Sequence, residues 1–250
     1  MALPLRAAAL AELATQIRVL NPGDRWPAFK LAHDAVTVDG FPMTARAASL
    51  AELATQIRLL DAGARWAGFK RIHGAVTLAG FPIVARSAAL TELARQNAEL
   101  NAGDRWPAFK LLHDATTAAT FPIGRRAAPL TGLAWRIPDL HAPDRPDAHR
   151  RVLSAVVKLD KQNRGAALEV LAISIICLPE HARGPALYAL QSAIAELDLL
   201  DRGAPFDMLA LALSVLLMSD TSDTLRQFVV QIDWLPDHRR TQMLGAFQQL

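Results

Sequence analysis

One pattern recurs three times along this 250-residue chain: Trp26, Lys30 and His33; Trp66, Lys70 and His73; Trp106, Lys110 and His113. Histidine is the commonest metal ligand, and aromatic and basic side chains together are the types that dominate partner-binding hot spots. A shared metal fails on distance. Equivalent residues of neighbouring helices stand about 8–10 Å or more apart, whereas one zinc needs its ligands within about 2.0–2.3 Å. No metal is expected. Cys177 and His181 are four residues apart, but Pro179 ends the helix between them, so a thiol nucleophile is not expected either. The chain holds no Gly-x-Ser-x-Gly, His-Glu-x-x-His, Walker or dinucleotide glycine pattern. The expectation is a protein without catalytic residues or a cofactor.

The elements that position these side chains follow from a repeat of 40 residues. Ala11 to Arg18 returns unchanged as Ala51 to Arg58, and Asp24 to Lys30 as Asp104 to Lys110. A finer period of about 20 appears when units are aligned on an arginine with apolar residues 4, 7, 11 and 14 positions later. Arg46 has Leu50, Leu53, Ile57 and Leu60, and Arg183, far outside the strict repeats, has Leu187, Leu190, Ile194 and Leu197. At about 100° per residue those offsets fall within about 80° of one another, which makes each unit one amphipathic helix. Period-two alternation, the mark of a strand, is missing.

The anchors run Arg6, Arg25, Arg46, Arg65, Arg86, Arg105, Arg126, Arg145, Arg164, Arg183 and Arg202, then Thr221, then Arg240. Prolines such as Pro42, Pro82, Pro122, Pro179 and Pro22 stand three or four residues before an anchor, where a proline ends the preceding helix. Segments such as Asn21-Pro22-Gly23-Asp24 and Asp61-Ala62-Gly63-Ala64 read as short reversals, which force neighbours antiparallel. The fold class expected is all-α: an α-solenoid of about 13 antiparallel helices built on a two-helix repeat. Residues 1–140 form regular helical hairpins and residues 141–250 continue one array in diverged form. No polar cap marks either end, so a fragment of a longer array, or one end of it, is expected.

The arginine at the start of each helix places positive charge at the positive end of the helix dipole and needs compensation. It can form a structural ladder by reaching the carboxy-terminal carbonyls or an acid of an adjacent helix; the alternative is a row of phosphate contacts. The Trp, Lys, His and Thr37-type positions, at offsets 1, 5, 8 and 12, form a second stripe beside the core one. Ala47, Ala51 and Ala54 hold three of those offsets in the intervening helices. Large side chains opposing small ones fill a seam between repeats; the other reading is a partner-binding surface.

Composition fits closely packed helices: 52% hydrophobic, 20% charged, few aromatics and a single tyrosine. The net charge of +3 conceals an asymmetry, +5 over residues 1–140 and −2 over the rest. That lacks the concentrated basic stripe of most nucleic-acid binders. The longest uncharged apolar stretch, from Met208 to Met218, is too short to span a bilayer, and Glu12 interrupts any apolar leader. A soluble chain is expected. The one cysteine, Cys177, reads as a buried small hydrophobe in a reducing compartment.

Asp24-Arg25-Trp26-Pro27 and Asp104-Arg105-Trp106-Pro107 resemble the signature of the SKWP-repeat type III effectors of plant-pathogenic bacteria, with Ala64-Arg65-Trp66-Ala67 as a departing copy. The resemblance implies a HEAT/armadillo-like array in a virulence protein injected into a host cell. It also implies that the array engages a host protein, with the secretion signal upstream. Repeat-wise nucleic-acid reading is the competing function. The positions that vary between copies are mostly Ala, Gly and Leu, rather than the Asn, Gln and Ser of a base code.

Overall fold

The computed structural model describes Ala9 and residues 12–219. The anchors Arg6, Thr221 and Arg240 lie outside those residues, and Met218 lies at their limit. Among the described residues every regular element is a helix and no strand occurs. The helices are α1 (Pro22–Thr37), α2 (Met43–Gln56), α3 (Ala62–Thr77), α4 (Ile83–Gln96), α5 (Ala102–Thr117), α6 (Ala127–Ala134), α7 (Arg145–Val156), α8 (Gly165–Ser174), α9 (Glu180–Ala195) and α10 (Gly203–Ser219). Residues 12–16 are also helical and run into a 3-10 turn, Ile17–Val19.

The chain divides into two compact units, Met1–His141 and Ala142–Leu250. In the first, each helix packs on the next in sequence and on the next but one, which gives one row of α1, α3 and α5 and another of α2, α4 and α6. In the second, α7 packs on α9 and α8 on α10 in the same manner. The offset-4 residues Phe29, Phe69 and Phe109 are fully buried in the first row, and Leu50, Leu53 and Ile57 in the second. Each such side chain contributes roughly 1.5–3 kcal/mol, which the helix could not gain alone. The second row packs closely: a Cβ on Gly132 of α6 would stand 3.2 Å from the Ala94 Cβ of α4.

The helix starts differ from the sequence reading. Pro22, Gly23 and Asp24 form the first turn of α1, not a reversal, and Ala62 to Ala64 form that of α3. The first N–H groups of a helix have no internal partner, so Pro22 at the first position loses nothing and opens the helix, not closes the one before. Reversal is left to Leu20 and Asn21, because the preceding helix tightens into a 3-10 turn and stops; Ile57–Leu59, Asn97–Glu99, Ile137–Asp139 and Ile175–Cys177 repeat that ending. The opposite reversals, after α1 and α3, carry Gly40 at φ 80° and Gly80 at φ 81°, each followed by a phenylalanine whose N–H bonds back three residues. These are type II turns. Thr120 replaces glycine in the third copy, and there no positive φ is adopted.

Candidate functional site

The anchor arginines sit on helix ends. Arg25, Arg65 and Arg105, in the first turns of α1, α3 and α5, each donate from Nε to a carbonyl five residues back, Leu20, Leu60 and Leu100, at 3.1, 2.9 and 3.0 Å. From Nη1 each also donates to a carbonyl 34 residues ahead, Leu59, Glu99 and Asp139, at 3.1, 2.7 and 2.9 Å. One guanidinium therefore joins the ends of two successive second-row helices. Arg46 and Arg86 bond the end of the helix before them, donating to Val36 and Val38 and to Val76 and Leu78. Arg126 does so through Ala118 and Phe121.

In the second unit, Arg145 donates to the Cys177 carbonyl. Arg164 donates to the Leu159 carbonyl and the Glu196 carboxylate, Arg183 to Leu178 and Arg202 to Leu197. Helix carboxy-termini expose carbonyls without internal partners at the negative end of the dipole, so a cation there offsets its own unfavourable position.

The Trp–Lys–His stripe lies between first-row helices. His33 Nε2 is 3.2 Å from the Arg71 carbonyl oxygen on α3, and His73 Nε2 is 3.2 Å from that of Leu111 on α5. A carbonyl only accepts, so Nε2 carries the hydrogen. Burial pushes His73 below the ordinary histidine range, with the Leu111 carbonyl opposing. Trp26, Trp66 and Trp106 are half-buried and stack on Phe29, Phe69 and Phe109 at centroid distances of 5.9, 5.6 and 5.6 Å. Lys70 Nζ stands 5.2 Å from the Trp66 ring centre and Lys110 Nζ 5.3 Å from that of Trp106. Lys30 is exposed, and His113 approaches Asp114 at 3.3 Å. Among the described residues no three His, Cys, Asp or Glu side chains come together as a metal group. Cys177 is half-buried, not fully enclosed, and His181 belongs to the next helix.

Sequence reasoning missed a row of exposed apolar side chains at the turns joining first-row to second-row helices. Val38 and Leu78 are 60% and 57% exposed, Met43, Ile83 and Ile123 are 36%, 42% and 42%, and Val84 is 62%. Val38 and Leu78, and Met43, Ile83 and Ile123, recur at 40-residue intervals around the buried Phe41, Phe81 and Phe121, whereas Val84 has Thr44 and Gly124 as its counterparts. Apolar recurrence just before and at the helix starts, outside the helical stripe, was the signal that could have revealed it.

The chain matches no protein-family model, no curated protein and no solved structure. No described helix is long and apolar enough to cross a membrane.

A cavity of about 680 Å³ opens in the second unit between α7 and α9. Its wall on this side includes Pro146, Arg150 and Leu153 of α7 and Val157 just after it, at the offsets that hold Trp, Lys, His and Thr in α1, α3 and α5.

Proposed function

We propose that the chain is a protein-binding scaffold, an α-solenoid of about 13 helices of the HEAT/armadillo kind. The observation that carries this reading is the recurring exposed apolar row Val38, Met43, Leu78, Ile83 and Ile123. Exposed apolar groups repeated at a fixed spacing offer one extended surface to a protein partner. The resemblance of Asp24-Arg25-Trp26-Pro27 to SKWP repeats supports a type III effector and a host protein as that partner. The competing function, a repeat-type nucleic-acid reader, needs a free row of cations for phosphates. The anchor arginines here spend donors on helix-end carbonyls, which speaks against it.

The test is capture from plant-cell lysate by the full chain, by a Leu78→Lys/Ile83→Lys variant and by an Arg58→Glu control on an exposed helix end. The reading expects a saturable partner that the double variant loses and the control keeps, with Tm unchanged in both. Capture indifferent to Leu78 and Ile83, or steeply salt-dependent binding to single-stranded RNA or DNA, overturns it.

A further inference from the structure

The first-row stripe that faces the next helix carries an indole, a cation and an imidazole in α1, α3 and α5. In α7 the same offsets carry Pro146, Arg150 and Leu153, and the space between α7 and α9 is left as the 680 Å³ cavity. That volume falls within the range of roughly 300–1,000 Å³ typical of organic-ligand pockets. Its walls are mainly apolar, with Leu153, Val157, Leu178 and Pro185 among them.

One fully buried polar side chain lines it: His149, 2% exposed. Its Nε2 lies 3.3 Å from the Leu171 carbonyl oxygen on α8 and so carries the hydrogen. Burial holds its pKa down to about 4 against that carbonyl's opposing pull, and the ring is neutral near pH 7. Nδ1 is then an acceptor, and it has no hydrogen-bond partner among the described residues. Arg150 lines the same cavity with its side chain 79% exposed, ion-paired to Asp147, which also accepts from Arg151.

We infer that this cavity receives a tryptophan side chain presented by a partner protein, with an acidic residue beside it that meets Arg150. Three observations converge on that occupant. The chain's own repeats place an indole at the corresponding offset, Trp26, Trp66 and Trp106, each stacked on a phenylalanine of its helix, where this unit has only Pro146. An indole offers one N–H donor and no acceptor, and the buried His149 lining the cavity holds an acceptor without a hydrogen-bond partner among the described residues. Arg150 stands at the offset from which Lys70 and Lys110 reach 5.2 and 5.3 Å from their tryptophans. It would cover the incoming ring as they do, and an exposed pair with Asp147 leaves a five-donor guanidinium able to take a second carboxylate. The site stands on its own geometry, and only the protein origin of the indole rests on the scaffold reading.

The test is fluorescence anisotropy of a labelled acidic peptide with one central tryptophan flanked by glutamates, against its Trp→Leu counterpart. N-acetyl-tryptophanamide serves as an unlabelled competitor. The full chain should bind the tryptophan peptide at least tenfold more tightly than the leucine one. Pro146→Trp, which restores the repeat's own ring, should weaken binding at least tenfold while raising Tm; if it lowers Tm, Ala189→Trp on the facing wall carries the same test. His149→Leu should cost about tenfold, and Leu78→Lys/Ile83→Lys should change nothing, so loss of the apolar row and loss of this site read separately. No saturable binding, equal affinity for the leucine peptide, or full affinity in a correctly folded filled-cavity variant overturns the proposal. Competition by the free amide as strong as by the peptide overturns the protein origin.

Discussion

Nη1 of Arg65, in the first turn of α3, donates to the carbonyl oxygen of Glu99 at 2.7 Å, while Nε of the same side chain donates to Leu60 at 2.9 Å. The two acceptors terminate successive second-row helices, so a single side chain fixes the spacing between them. A hydrogen bond from a charged donor contributes roughly 1.5–3 kcal/mol. Arg65→Ala should therefore lower unfolding free energy by about 2–4 kcal/mol in urea titration. Arg58→Ala, at an exposed position, should stay within about 0.5 kcal/mol. Equal effects of the two would show that the guanidinium contacts carry no stability.

Asn97 occupies the offset that holds Ile57 one repeat earlier, and it is fully buried. Its Nδ2 donates to the Arg105 carbonyl at 2.9 Å, but Oδ1 is buried without a partner. A buried acceptor left unsatisfied costs about 1–3 kcal/mol. Asn97→Ile removes it and restores the apolar stripe. The variant should melt several degrees higher by calorimetry; a lower Tm would mean that the bond to Arg105 outweighs the orphaned oxygen.

Two glycines should respond in opposite directions. Gly80 holds φ 81°, a left-handed conformation that costs a residue with Cβ roughly 1–2 kcal/mol, so Gly80→Ala should destabilise by about that amount. Gly74 is exposed within α3, and a Cβ there meets nothing within 4 Å. Gly74→Ala should stabilise by about 0.5–1 kcal/mol through helix propensity. Thermal denaturation of the two variants side by side decides both.

The helical register was legible because burial follows the arginine-anchored offsets: Leu187, Leu190, Ile194 and Leu197 are buried in the diverged half as Leu50, Leu53, Ile57 and Leu60 are in the regular one. Helix starts were harder to read. Pro22-Gly23 satisfies a first helical turn as well as a loop, and only the backbone distinguishes them. The exposed row at Val38, Leu78 and Ile83 escaped notice because helical periodicity says nothing about which side chains at helix ends the neighbouring turns cover. The cavity beside Pro146 was illegible for another reason: it is set by the volume of a ring the chain does not have there, and by how far α9 closes over the gap.

Stability should fall in mild acid. The usual pKa of His149 in an unfolded chain is 6.5, and in the folded protein it is lowered to about 4. Between those values the unfolded chain binds a proton that the folded one excludes, so unfolding becomes easier as pH drops from about 6.5 and the loss levels off below about 4. The full effect is on the order of 3 kcal/mol. His73, also lowered by burial, acts in the same direction. Urea midpoints at pH 7.5 and 4.5 should differ clearly in the parent and markedly less in His149→Leu; parallel losses in both would place the acid sensitivity elsewhere.

The 34-residue reach of Arg25, Arg65 and Arg105 makes array length a free variable. Each hairpin hands a guanidinium forward and receives one from behind, so excising residues 41–80 would rejoin Arg25 to an acceptor of the same kind, since Glu99 then takes the position of Leu59. Arrays shortened or extended in steps of 40 residues would keep every internal donor matched, whereas a cut of 20 would strand one at each junction.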